Sequence, residues 1–204
     1  MRRRPLATLA AALTAVAALV AGCSSSPDQP SEPDWDLAAA PSAQWVSVAG
    51  IATPMSDNDG PAQTTPVPHG YSPSPQGAVL AAINGQVQMA TANDELWTEV
   101  SQYLLAPGPG RDQWAQARSL VTVDGEVADP AKFVGFKITD FSDSSALVVL
   151  ATELPDGQLV AYPVQLERLS DTWRLVLPTQ DTAVDFTEID SLTGFTKFSA
   201  DQGE

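Results

Sequence analysis

The apolar period changes once along this chain, and that change decides its fold class. Between Pro75 and Val121, apolar residues recur every three to four positions. Val79, Leu80, Ile83, Val87 and Ala90 form one stripe, and Leu96, Trp97, Val100, Tyr103 and Leu104 continue it. From Lys132 onward the period is two, with Val134, Phe136 and Ile138 alternating with polar neighbours. The first pattern calls for helices and the second for a half-buried antiparallel sheet. Helices followed by such a sheet belong to the α+β class.

Local signals set the expected boundaries. Ser74-Pro75 opens the first helix, with serine as N-cap and proline at the first helical position. Asn93-Asp94 kinks or recaps it, and Pro107-Gly108-Pro109-Gly110 stops it. A short helix is expected over residues 112–121, capped by Asp112, with Trp114, Ala117 and Leu120 on one face. In the sheet, Ser142-Asp143-Ser144, Pro155-Asp156-Gly157 and Ser170-Asp171 are turns, which makes a curved four-stranded meander.

The last turn sets Glu167 opposite Arg174 and Arg168 opposite Trp173, with an expected Glu167–Arg174 ion pair on the solvent side. Carried back through the earlier turns, this register places Val134, Phe136, Ile138, Val149, Ala151, Val160, Tyr162, Val164, Leu166, Trp173, Leu175 and Leu177 on the core face. Val148, Leu150, Leu154, Leu159 and Val176 then fall on the other face. Either the C-terminal residues Val184, Phe186, Ile189, Leu192, Phe195 and Phe198 or a partner chain must cover them.

The N-terminus reads as an export signal. Arg2, Arg3 and Arg4 precede an uncharged run over residues 6–20, which ends in Val20-Ala21-Gly22-Cys23. An aliphatic residue and two small ones before cysteine is the lipoprotein form of the cleavage site. The cysteine thiol of such a site takes a diacylglyceryl group. The run is shorter than the ~20 residues of a membrane span, and the polar Ser24-Ser25-Ser26-Pro27-Asp28-Gln29-Pro30 follows it. Arg3-Arg4-Pro5-Leu6 leaves a twin-arginine export route open.

The expected organisation is therefore a signal peptide over residues 1–22, a Ser/Pro/Asp-rich stalk over 23–43 and one domain over 44–204. The stalk would hold the domain roughly 25 Å from the bilayer, and Trp35 is its one residue suited to local docking. Cys23 is the sole cysteine, so the mature domain has no disulfide or thiol chemistry. A diacyl anchor supplies the two chains that stable membrane attachment requires. The predicted location is the extracytoplasmic side of the cell membrane.

Charge removes other functions. The formal net charge is −15, and loss of the three signal-peptide arginines takes it to −18. Such a surface repels nucleic acid and anionic lipid head groups, so no nucleic-acid partner is expected.

Motifs for chemistry are sparse. His69 is the only histidine, it lies in the proline-rich loop over residues 54–75, and no G-x-S-x-G elbow accompanies it. Its uniqueness excludes a multi-histidine metal site. Asp57-Asn58-Asp59-Gly60 resembles part of a calcium loop, but alignment on the glycine puts Met55 and Pro66 at the first and twelfth positions, so an Asx-turn is expected instead. Asp181, Asp185, Glu188 and Asp190 read as a solvated acidic face. Trp97, Trp114 and Trp173 fall on apolar faces and are expected in the core. No catalytic residue, metal or cofactor is expected. A single strand is expected over residues 45–51.

Helices followed by a meander closing on Ser170-Asp171-Thr172-Trp173-Arg174-Leu175 resemble the cone-shaped nuclear-transport-factor-2/cystatin-like group. A narrower pattern comprises Trp45, Ser56-Asp57-Asn58-Asp59-Gly60-Pro61 and Gly70-Tyr71-Ser72-Pro73-Ser74-Pro75-Gln76-Gly77-Ala78. It is similar to a family of actinobacterial envelope proteins, some of them associated with conjugative elements. The resemblance implies an envelope location and a role beside a secretion or transfer apparatus. Cone folds also hold ligands or place an acid or tyrosine inside the cone as a general base. The candidates here are Asp140, given core-facing parity, and Tyr162. The leading expectation is a non-enzymatic interaction domain that binds a protein partner or a second copy of itself; the alternative is a ligand-binding or enzymatic cone.

Overall fold

The structure is a computed structural model that describes residues 34–198; Cys23, the signal sequence and the first part of the stalk lie outside the described residues. The chain divides into Met1–Asp34 and Trp35–Glu204, and the second unit carries every element below. It is of the α+β class.

Helix α1 (Pro75–Thr91) starts where the sequence predicts. Ser74 Oγ accepts a hydrogen bond from the Gly77 N–H at 2.9 Å, and Pro75 occupies the first turn. The helix is buried nearly all round, from Val79 and Leu80 to polar Asn84 and Gln88. A helix buried on every side belongs at the centre of the molecule. It packs on the sheet along one side and against a hairpin and the helix over Trp97–Tyr103 elsewhere. Asn84 Nδ2 donates to Pro54 O at 2.9 Å and fastens α1 to that hairpin.

Asn93 recaps the chain, its side-chain oxygen accepting from the Glu95 and Leu96 N–H groups at 3.1 Å, before α2 (Trp97–Tyr103) begins. Helix α3 covers Pro109–Arg118 in place of the expected 112–121. Gly108 is extended and serves as N-cap, so Pro109 becomes the first helical residue. The same Pro-Gly run ends one helix and begins the next. Asp112 sits in the first turn and pairs with Arg111 at 3.1 Å.

The expected single strand over 45–51 is a hairpin, β1 (Gln44–Val48) and β2 (Ile51–Met55). Ala49 and Gly50 both take positive φ, 47° and 87°, as a two-residue hairpin turn requires.

The main sheet contains β3 (Lys132–Phe141), β4 (Ser145–Glu153), β5 (Leu159–Leu169) and β6 (Thr172–Val176), each antiparallel to the next. Two short C-terminal strands extend it to six: β7 (Thr187–Glu188) on β5 and β8 (Thr196–Lys197) on β3. Glu167 pairs with Arg174 and Arg168 with Trp173, as the Ser170-Asp171 turn dictates. The expected Glu167–Arg174 ion pair is not formed. Arg174 donates to the Gln102 carbonyl at 2.8 Å instead.

The expected core face is wrong by one residue in β4. Pro155-Asp156-Gly157 is a three-residue loop, with Leu154 N–H bonded to Gln158 O at 2.9 Å and Gly157 left-handed at φ 84°. The odd count pairs Leu150 with Tyr162 and Val148 with Val164. Ala146, Val148 and Leu150 are therefore in the core, and Val149 is not. In β3, Val134 is only partly buried, because a register shift between Phe133 and Gly135 turns it aside. A second shift between Ile138 and Asp140 pairs Asp140 with Leu147, on the far face.

That far face is crossed by the C-terminal chain. β7 pairs at Ala161 and β8 at Gly135, and these lie in one cross-strand row with Ala151. The small residue Gly135 lets the chain at Phe195-Thr196 approach the sheet closely. A side chain at Gly135 would meet Thr196 O at 2.9 Å and Phe195 Cβ at 3.5 Å. Phe198 then reaches the core edge, its ring 5.3 Å from Phe136 and 5.4 Å from Trp45.

Contacts to the domain begin before residue 44. Gln76 Nε2 donates to Asp36 O and Ala39 O, at 3.0 and 2.9 Å, and Thr196 Oγ1 donates to Ala38 O at 3.0 Å. Trp35 meets Phe141 edge-on at 6.3 Å.

Candidate functional site

The loop over residues 56–74 contains two of the expected candidates, His69 and Asp57-Asn58-Asp59-Gly60, and Ser56, Asp59, His69, Ser72 and Ser74 are occupied in holding the fold. Ser56 Oγ accepts from the Asn58 and Asp59 N–H groups, both at 3.3 Å, so a serine rather than an Asx side chain organises this turn. The Asp59 carboxylate accepts from Ser72 Oγ at 3.0 Å and from Ser74 Oγ at 2.6 Å. Ser74 is the N-cap of α1, so the acid fixes both the cap and the chain entering it. Tyr71 is buried, and burial raises its phenol pKa. Gly77 must lack a side chain, because a Cβ there would lie 2.2 Å from Ser72 O. Asp59 is thus structural, while the Asp57 and Asn58 side chains of the same turn are exposed.

His69 is equally committed. Its Nδ1 lies 2.7 Å from Val67 O, which makes that nitrogen the donor, and its ring lies against Tyr103 at 4.4 Å. These contacts tie the loop to α2, and no serine or carboxylate contacts the ring among the described residues.

Trp173 is buried, with Nε1–H directed at Ser74 O at 3.3 Å, while Trp97 and Trp114 are half-buried and meet edge-on at 6.3 Å. Asp181, Asp185, Glu188 and Asp190 are exposed or nearly so. Among the described residues no group of three metal-ligating side chains converges.

Arg118 forms a buried polar joint that the sequence reading missed. Its Nη2 donates to Ala92 O at 2.8 Å and to Asp94 Oδ1 at 2.9 Å, and its Nη1 donates to Val121 O at 2.7 Å. The joint locks α3 to the end of α1. The hydrogen bond from Arg118 holds the Asp94 carboxyl below the usual carboxylate range. Replacing Arg118 with methionine should cost about 2–3 kcal/mol, since charged hydrogen bonds contribute about 1.5–3 kcal/mol. Chemical denaturation measures it. A lowered folded-state pKa stabilises at neutral pH, and the gain disappears as pH falls through that pKa. The stability gap between the parent and Asp94→Asn should therefore be full near pH 7 and close on acidification below about pH 4.

Asp140 and Tyr162 do not meet. Asp140 is exposed on the far face, and Tyr162 is on the core face opposite Leu150. The Ile138–Asp140 shift is the reason: one extra residue reverses the parity on which the expectation rested.

Tyr162 opens instead into an apolar groove of about 320 Å³ between α1 and the sheet. Val87 and Ala90 of α1, Phe133 and Val160 of the sheet, and Val127 and Phe186 from the connecting segments line it. The rim is set by a backbone bond from Val127 N–H to Ala49 O at 2.9 Å, which holds the loop before β3 against the hairpin turn. Burial pushes the Tyr162 phenol up to about 12. Phe186 is 57% exposed and Val127 39% exposed. Two large apolar side chains are thus left in solvent at an apolar groove, which makes it the candidate site. Sequence pattern could not find it, because its parts come from five distant stretches without a common period. The nearest signal is Phe186, the one aromatic residue in the acidic run over residues 181–190.

No curated protein matches this chain, and no solved structure does. A family profile described as a domain of unknown function, DUF8175, matches residues 7–197. With nearly the whole length matched, the chain belongs to the DUF8175 family.

Proposed function

We propose that this chain is an exported lipoprotein, anchored through Cys23 on the extracytoplasmic side of the membrane, whose domain binds a protein partner and catalyses no reaction. The order of elements and the two register shifts in β3 support a cone-like fold of the nuclear-transport-factor-2/cystatin-like kind. A role beside a secretion or conjugation apparatus fits that fold and the anchor. One observation carries the binding role: the apolar groove with Phe186 exposed at its mouth. His69 and Asp59, the groups with chemical potential, are engaged in structural bonds. No helix among the described residues is long and apolar enough to cross a membrane.

A second reading, a small-molecule cone, draws on the Tyr162 hydroxyl, which has no hydrogen-bond partner among the described residues and lines the same groove. A thermal-shift panel of metabolites and cell-wall fragments tests it. A ligand whose stabilisation disappears in Tyr162→Phe would favour this reading over protein binding.

The tether is tested by fractionation. Cys23→Ala should move the protein from the membrane fraction to the soluble or secreted fraction, or leave it as unprocessed precursor. Retention of a processed form in the membrane would overturn the anchor.

A further inference from the structure

The charge around the groove identifies the kind of partner it fits. The stretches that supply its outer wall, residues 122–133, 151–162 and 181–190, hold nine carboxylates and one cation, Lys132. Asp124, Glu126 and Asp129 flank Val127, and Asp185 and Glu188 flank Phe186, all of them exposed. The inner wall adds no charge, since α1 contributes Gln86, Val87 and Ala90 and the hairpin contributes Ile51. The site is an uncharged apolar slot framed by negative charge.

We infer that the groove binds a basic amphipathic segment of a partner protein, taking a bulky apolar side chain into the slot while lysines or arginines of the segment face the acidic rim. This rests on the interaction reading above and adds the partner's chemistry to it. A volume near 320 Å³ is at the small end for ligand sites and suits one or two anchoring side chains. Helix-in-groove recognition uses such anchors at i, i+3 and i+4. The exposed carboxylates that flank Val127 and Phe186 in the chain disfavour a fatty acid or an anionic phospholipid. They also steer a cationic segment toward the slot, which makes association fast and salt-sensitive.

The test uses the full chain, purified from whichever fraction of the cell contains it, and placed in phosphatidylcholine nanodiscs if that is the membrane. Three probes are titrated: a labelled Leu/Lys amphipathic helical peptide, its Leu/Glu counterpart, and laurate. Empty nanodiscs provide the blank. The Leu/Lys peptide should bind saturably, weaken several-fold between 50 and 500 mM salt, and weaken at least tenfold in the Val127→Ser/Phe186→Ser variant. Both residues are exposed, so the variant should keep the parent's melting temperature, and Phe186→Leu should retain binding. Equal Leu/Lys binding by parent and double-serine variant would overturn the inference, reducing it to diffuse attraction to an acidic surface. Tighter saturable binding of laurate or of the Leu/Glu peptide would also overturn it. Neither result affects the fractionation of Cys23→Ala or in-cell crosslinking at position 186, so failure of the partner chemistry is separable from failure of the tethered binding role.

Discussion

Trp173→Ala is expected to lower the stability of the domain by about 3–5 kcal/mol, the usual cost of emptying a large aromatic from a core. The residue is only 1% exposed. Its ring lies 5.7 Å from that of Phe141, and its indole N–H points to the carbonyl of Ser74, the N-cap of α1. The side chain therefore joins three things at one point: the final hairpin, the end of β3 and the start of the central helix. Domains of this size have about 5–15 kcal/mol in total, so the variant should be close to unfolding at body temperature. Urea denaturation followed by circular dichroism measures the loss. A change under 1 kcal/mol would show that Trp173 is not the joint described.

The second large effect has an unusual sign. Glycine-to-alanine substitution inside a helix ordinarily gains up to about 1 kcal/mol. At Gly77 it should instead cost about 2–3 kcal/mol, within the range for forcing atoms into a packed site. The added Cβ would lie 2.2 Å from Ser72 O and 2.7 Å from Ser72 Oγ, the residue that shares Asp59 with the N-cap. Relieving the clash means moving Ser72, and with it the bonds from Ser72 and Ser74 to Asp59. Thermal melts of parent and variant decide the matter. A stabilised Gly77→Ala would mean that the loop is not held against the helix as described.

These two positions also show what the sequence makes legible. Ser74-Pro75 declares the start of α1 through local chemistry alone, and the change of period at Lys132 declares the sheet. The β5–β6 register could be read because its turn has two residues, Ser170 and Asp171, both at positive φ. Parity failed where one residue was added without a distinctive signature. The three-residue Pro155-Asp156-Gly157 loop shifted β4 by one, and the irregularity before Asp140 turned that acid to the far face. The Ala49-Gly50 turn was hidden within what looked like one strand. Arg118 and the groove were illegible for a different reason. Each depends on contacts between residues far apart in the chain, and no local spacing encodes them. The far face shows the same limit: of the apolar residues expected there, Val148 and Leu150 are core, while Leu154, Leu159 and Val176 are partly buried.

The narrow motif from Ser56 to Ala78 now has a physical account as a lock on α1, which separates what the motif does from where a partner would bind. The central claim is that binding occurs at the groove of Phe186 and Val127 while the motif loop serves the fold. In-cell photo-crosslinking measures this most directly, with the reactive residue placed in the full chain at position 186 in one strain and at position 57 in another. Both sites are solvent-exposed. The account predicts a discrete protein adduct from position 186, competed by the Leu/Lys peptide, and none from position 57. An adduct from position 57 with none from position 186 would contradict it.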